Sequence, residues 1–229
     1  MSSLAFGDRP GFTGELWSEI EGIFEKVIAH PFITGLTDGT LPKEKFRHYV
    51  VQDALYLRDY ARALALVGVR SGEEDTLLMF NTHSTGAITV ERSLHEGFLS
   101  GLGLKQGDVD RTPMSPTTLA YTSYMMRAAA TGGYHEGLCA VLPCYWIYTE
   151  VGNALAGASS PDPMYARWIE TYGGEDFNAL VRAVLDTADR ACRDLDGQQK
   201  AAAKQAFVTT SRYEWMFWDA GWRRESWPV

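Results

Sequence analysis

Cysteine is scarce in this chain: Cys139, Cys144 and Cys192 are the only three. An odd, low number of thiols makes no disulfide framework and fits a compartment in which thiols stay reduced. Long apolar runs are missing as well. The longest, around Leu138–Tyr148, falls short of the ~18 residues a bilayer span needs, and the segment from Met1 to Pro10 has neither the basic head nor the apolar core of a secretory leader. These absences lead us to expect a cytoplasmic protein with no membrane contact. Basic clusters are also lacking. The densest basic pair is Arg223-Arg224, and 29 acidic residues against 21 Lys and Arg leave a net charge of −8. A nucleic-acid partner is therefore not expected, because a phosphate backbone needs a basic face. No train of alternating residues with tight turns marks strands, no glycine loop is set to cradle phosphate, and no Ser-His-Asp motif stands out.

Helical periodicity is what the chain does have. With 45% hydrophobic and 22% charged residues over 229 positions, it suits one globular domain, 1–229, with a sizeable core. The first apolar stripe, Leu16, Trp17, Ile20, Ile23, Phe24 and Val27, predicts a helix over Thr13–Ala29, closed by Pro31. A second helix is expected from Pro42 to Val69, since proline suits a first turn. Others are expected over Glu73–Leu102, Ser115–Ala130, Tyr134–Ala156, Pro163–Tyr172, Asp176–Asp194 and Gln198–Ser226, with glycines at several joints. Seven or eight helices with short joints imply an all-α bundle. Pro143 falls inside the fifth helix. There it produces a kink that shapes a pocket wall, a simple packing kink, or a break between two shorter helices.

Three residues carry the chemical possibilities. Cys144, beside Pro143 and one turn before Tyr148, reads either as a positioned nucleophile or as a small buried hydrophobe. Glu214 stands among Tyr213, Trp215, Phe217 and Trp218. It is either a desolvated acid–base group or a carboxylate facing solvent or paired with Arg212. Asp53 shares a helical stripe with Tyr56 and Tyr60. It either accepts hydrogen bonds from a ligand amine or answers Arg58 or Arg62. Eleven tyrosines are ordinary core and surface residues or, together, the walls of a pocket for a flat ring. A metal reading rests on Glu91 and His95, four apart, with His83 two turns earlier. The Glu-x-x-His pair of di-iron bundles is absent, and no metal or other cofactor is expected.

In order along the chain stand His30-Pro31-Phe32, Phe46-x-x-Tyr49-x-x-Gln52-Asp53-x-x-Tyr56, Glu91-x-x-x-His95, the Thr117, Tyr121 and Tyr124 segment, Leu142-Pro143-Cys144-x-Trp146-x-Tyr148, Tyr165-x-x-Trp168-Ile169-x-x-Tyr172 and Glu214-x-x-Phe217-Trp218. In these motifs, over nearly its whole length, the chain resembles the TenA/thiaminase II family. The cysteine segment is the most specific of them. The resemblance implies the haem-oxygenase-like helical fold without haem, and a hydrolase of thiamine metabolism. Cysteine-bearing members act on thiamin or on 4-amino-5-aminomethyl-2-methylpyrimidine and release 4-amino-5-hydroxymethyl-2-methylpyrimidine for thiamine salvage. Carried over, Cys144 is the nucleophile and Glu214 the proton donor. Asp53 holds the aminopyrimidine edge, Tyr56 and Tyr148 bond near the cysteine or ring, and Tyr121, Tyr172 and Phe217 complete the pocket. The family also implies a homotetramer, with which Trp222 and Trp227 are compatible. Two other readings stand beside the enzyme: a non-catalytic pyrimidine-binding or regulatory protein, and a di-iron oxygenase on the same fold.

Overall fold

Each apolar stripe read from the sequence lies on a helix. The computed structural model describes residues 6–7, 9–157 and 160–229, apart from the side chains of 90–96 and 106. Its elements are α1 (Phe12–Ser18), α2 (Glu21–Ile28), α3 (Pro31–Asp38), α4 (Lys43–Arg70), α5 (Glu74–Gly101), α6 (Gln106–Arg111), α7 (Pro116–Thr131), α8 (Tyr134–Ala156), α9 (Pro163–Gly173), α10 (Glu175–Ala191) and α11 (Gly197–Arg223). No strand occurs among the described residues. Most of the segment Met1 to Pro10, where a leader was looked for, and the side chains of Glu91 and His95 lie outside the described residues.

Besides the short α6, which was not expected, three elements depart from the expected pattern. The helix predicted over Thr13–Ala29 is two helices. The amides of Glu19 and Ile20 bond three residues back, to Leu16 and Trp17, which tightens and ends α1. The physical reason is tertiary. α1 packs on α10 as well as α11, while α2 packs on α11 and α3, and one straight rod cannot reach both α10 and α3. Pro31 closes nothing by itself. It is the first residue of α3, with His30 as the N-cap whose Nδ1 accepts the Phe32 amide at 3.1 Å. Gly39 ends α3 at φ 76°, in the left-handed region where a side chain is strained. The last helix stops at Arg223, not Ser226, and Trp227 folds back so that its indole donates to the Met114 carbonyl at 2.9 Å.

α8 is the axis of the protein. It packs on α7, α9, α10 and α11, and α4 packs on α5, α7, α8 and α11. From Gly137 to Gly152 nearly every residue of α8 is buried. The helix continues through Pro143, so the reading of two shorter helices does not hold. Proline nevertheless withholds an amide from the ladder, and two residues before it the Val141 carbonyl accepts from the Tyr60 hydroxyl at 3.2 Å. At its far end α8 crosses α9 at Gly152, where a Cβ would stand 2.3 Å from the Tyr172 carbonyl carbon. Only glycine permits that approach. Gly152→Ala is expected to push α9 away and lower stability by ~1–3 kcal/mol, seen as a depressed Tm in a thermal melt.

Candidate active site

Five helices bring the sequence-predicted site residues to one region. Asp53 and Tyr56 come from α4, Tyr121 from α7, Cys144 and Tyr148 from α8, Tyr172 from α9, and Glu214 and Phe217 from α11. A cavity of about 280 Å³ opens there. Asp53, Cys144, Tyr148 and Tyr172 line it, with Leu57, Leu64, Phe177 and Leu180 as apolar wall. Such a mixture suits a small flat molecule, because apolar sides hold it and a few polar groups orient it. Tyr148 is fixed from both sides. Its hydroxyl lies 3.1 Å from that of Tyr49, and its ring stands 4.9 Å from the ring of Tyr172.

The other four predicted residues form the layer beneath. The Tyr121 hydroxyl donates to Glu214 Oε1 at 2.6 Å. The Tyr56 ring packs against Tyr121 at 4.9 Å and Phe217 at 5.7 Å. Glu214 is 2% exposed, so it neither faces solvent nor pairs with Arg212. Burial among aromatic rings pushes its carboxyl up to about 8, against the pull of the Tyr121 hydroxyl and with a small addition from the Asp53 charge. Near neutral pH Glu214 is therefore an acid with a proton to give. Asp53 is buried as well. Arg58 pairs with Asp110 at 2.6 Å and Arg62 with Asp59 at 2.6 Å.

Cys144 sits at the cavity wall, half-buried as a residue. Burial and the Glu214 charge push its thiol well above the ordinary value. The neighbouring Tyr56 and Tyr60 hydroxyls oppose this, and Asp53 adds to the rise. The resting group is a thiol, and it becomes a nucleophile only when its proton leaves.

Sequence reasoning placed Tyr60 on the Asp53 stripe without assigning it to the site, and it passed over Tyr145, the unnamed position between Cys144 and Trp146. Tyr145 lines the cavity, and so does His83, which had been weighed only as a metal ligand. The periodicity of one helix cannot reveal a neighbour on another. Only the packing of α5 on α4 brings His83 here, within reach of Tyr145 on α8. Among the described residues no group of three His, Cys, Asp or Glu side chains is placed to hold a metal ion, and no helix is long and apolar enough to cross a membrane.

A thiol, a protonated carboxyl and an aromatic-walled cavity inside a helical bundle define a class of sites suited to small ring compounds. Residues 17–224 match the model of the TENA/THI-4/PQQC family. An aminopyrimidine aminohydrolase from Halalkalibacterium halodurans is 35% identical over 218 residues, covering 94% of this chain and 97% of that protein. A TenA homologue from P. horikoshii OT3 superposes with a TM-score of 0.86 at 30% identity, over 93% of this chain and 99% of that one. A Shewanella denitrificans domain with a heme oxygenase-like fold superposes with a TM-score of 0.73 at 16% identity, over 93% of this chain and 92% of that one, which bears on the fold alone. The chain belongs to the TENA/THI-4/PQQC family and has the heme oxygenase-like fold.

Proposed function

We propose that this protein is an aminopyrimidine aminohydrolase of the thiaminase II type. It converts 4-amino-5-aminomethyl-2-methylpyrimidine, and more slowly thiamin, to 4-amino-5-hydroxymethyl-2-methylpyrimidine. The observation that carries the reading is a cysteine sulfur on the wall of one small cavity with, in the layer behind that wall, a carboxyl held protonated by burial and close enough for its charge to act on the sulfur. The relative named aminopyrimidine aminohydrolase, similar over nearly its full length, supports it.

The chemistry follows from these groups. Asp53 accepts hydrogen bonds from the amino edge of the ring, and Tyr148 and Tyr172 hold its face. Glu214 donates its proton to a ring nitrogen, which makes an already electron-poor ring a better acceptor. The Cys144 thiol gives up its proton and the sulfur adds to a ring carbon, so that aromaticity is lost. The electron pair returns through the ring and expels the aminomethyl nitrogen from the exocyclic methylene. That nitrogen is an ammonium near neutral pH and so leaves as neutral ammonia. Water adds to that methylene, and the proton it loses replaces the one the thiol gave up. The C–S bond breaks, the ring regains aromaticity, and Glu214 recovers its proton. Each covalent step is easier than direct displacement by water.

The checking experiment incubates the purified protein separately with the aminopyrimidine and with thiamin and follows the hydroxymethyl product by chromatography. Faster release from the aminopyrimidine is expected. Release from neither would reject the enzyme reading and leave a binding protein.

We also read the protein as a cytoplasmic homotetramer. Three unpaired thiols suit a reducing compartment. Val69, 69% exposed, and Leu78, 67% exposed, place large apolar side chains in water, which an interface between copies would cover. A sedimentation mass near that of one chain would refute the tetramer.

A further inference from the structure

One wall of the cavity holds groups that this chemistry leaves idle. His83 Nδ1 lies 3.1 Å from the Tyr145 hydroxyl, and the two rings are 5.7 Å apart. Tyr60 is the next neighbour, its ring also 5.7 Å from that of Tyr145, and its hydroxyl is near enough to Tyr145 and to the Cys144 thiol to bear on the ionisation of both. Four side chains from α4, α5 and α8 thus stand as a line of neighbours on the cavity wall, from the sulfur to an imidazole. Tyr60 and Tyr145 are buried, His83 is half-buried, and its neighbour Thr82 is exposed, so the line runs from the interior toward solvent.

The reaction needs such a line. Cys144 must lose a proton to attack, and the groups nearest the sulfur are poorly suited to take it. Glu214 already holds a proton and gives it to the ring, and Asp53 is engaged with the amino edge. His83 is different. Burial alone depresses its basicity, so it stands neutral near pH 7 with a lone pair toward Tyr145 in its Nε2–H tautomer. The titratable groups that share the cavity with it are Asp53, Tyr60, Cys144, Tyr145, Tyr148 and Tyr172, and no Lys or Arg lines it.

We propose that His83, acting through Tyr145 and Tyr60, is the positioning residue that receives the Cys144 thiol proton. The step balances as a chain of three transfers. The thiol proton passes to Tyr60 Oη as Tyr60 gives its own to Tyr145 Oη and Tyr145 gives its own to His83 Nδ1. The products are thiolate and imidazolium, and no tyrosinate forms. That suits hydroxyls whose ionisation burial makes costly. In the resting structure the Tyr60 hydrogen points at the Val141 carbonyl, and rotation about its C–O bond aims it along the line.

The inference rests on Cys144 as the nucleophile, so the test reads the thiol without turnover. Alkylation of Cys144 by iodoacetamide is followed by peptide mass. Cys139 and Cys192, each 0% exposed, serve as internal unreactive controls. At pH 7, His83→Ala and Tyr145→Phe are each expected to slow alkylation about a hundredfold, the low end of what a positioned base supplies. At high pH, where hydroxide takes the proton directly, the rates converge. Added imidazole restores His83→Ala, whose gap opens toward solvent, and leaves Tyr145→Phe slow. If His83→Ala loses its cooperative melt, His83→Gln is read in its place. Unchanged alkylation in the variants, or equal rescue of Tyr145→Phe, overturns the relay. Turnover that survives Cys144→Ser would instead overturn the nucleophile reading, so the two failures are distinguishable.

Discussion

Cys144→Ser is expected to lower release of the hydroxymethyl product by roughly a thousandfold or more, about 4 kcal/mol of barrier, while the protein stays folded. The alcohol is nearly the same size, and it keeps the Tyr56 and Tyr60 hydroxyls as neighbours. What it loses is the low-lying lone pair of sulfur. An alkoxide in the same buried place would be far harder to form than a thiolate. Tm within a few degrees of the parent, together with lost turnover, is the expected pair of results. A serine variant that hydrolyses the aminopyrimidine at the parent rate would reject covalent catalysis at this position.

Glu214→Gln is expected to move activity and stability in opposite directions. A carboxyl that titrates at about 8 in the fold, against 4.5 in its absence, binds a proton that the unfolded chain releases across that interval. The folded state therefore holds more protons there, and this group's contribution to stability falls as pH rises from 4.5 toward 8. At pH 7 the penalty for keeping Glu214 buried is ~3 kcal/mol by the linkage arithmetic. Glutamine is neutral at every pH and avoids it. The variant should melt higher than the parent at pH 8, with the difference shrinking toward pH 4.5. It should also lose ~10²–10³ in kcat, because an amide cannot protonate the ring. In the parent, kcat should decline as pH passes about 8 and Glu214 ionises. That limb should be absent from the residual activity of the variant. Equal melting of the two proteins at pH 8 would mean that Glu214 is not held protonated.

This opposition between activity and stability has a structural source. Glu214 lies among Tyr56, Tyr121 and Phe217, a setting that favours an uncharged group. The Tyr121 hydroxyl partly offsets the cost of ionisation. A site that keeps an acid poised near neutrality gives up some stability of the fold, as functional sites commonly do.

Long helices were legible in the sequence because a 3.6-residue period over five or more turns leaves little else to read. The stripe through Phe46, Tyr49, Val50, Leu57 and Leu64 becomes α4 in essence as expected. The run around Cys144 becomes the most buried helix of the protein. The short helices α3 and α6 escaped, since six to eight residues carry too few turns to outweigh a proline or glycine nearby. The split between α1 and α2 escaped for another reason. Its apolar stripe is continuous in sequence, and only the different partners of the two halves require the break.

For the site, the sequence by itself determined which chemistries were open: a thiol, two acids in apolar or aromatic company, and many tyrosines, with no basic face and no phosphate loop. Position along a helix also placed Asp53 with Tyr56 and Cys144 with Tyr148, because residues three or four apart share a face. The tertiary structure decided what those groups are. Whether Glu214 was an acid or a surface charge depended on side chains from α4 and α7 closing over it. Whether His83 was a metal ligand or part of the cavity wall depended on its approach to Tyr145 on α8. Desolvation and hydrogen bonding act over a few ångströms, and here those ångströms separate residues 62 to 93 positions apart in the chain. A local pattern holds no record of such distances.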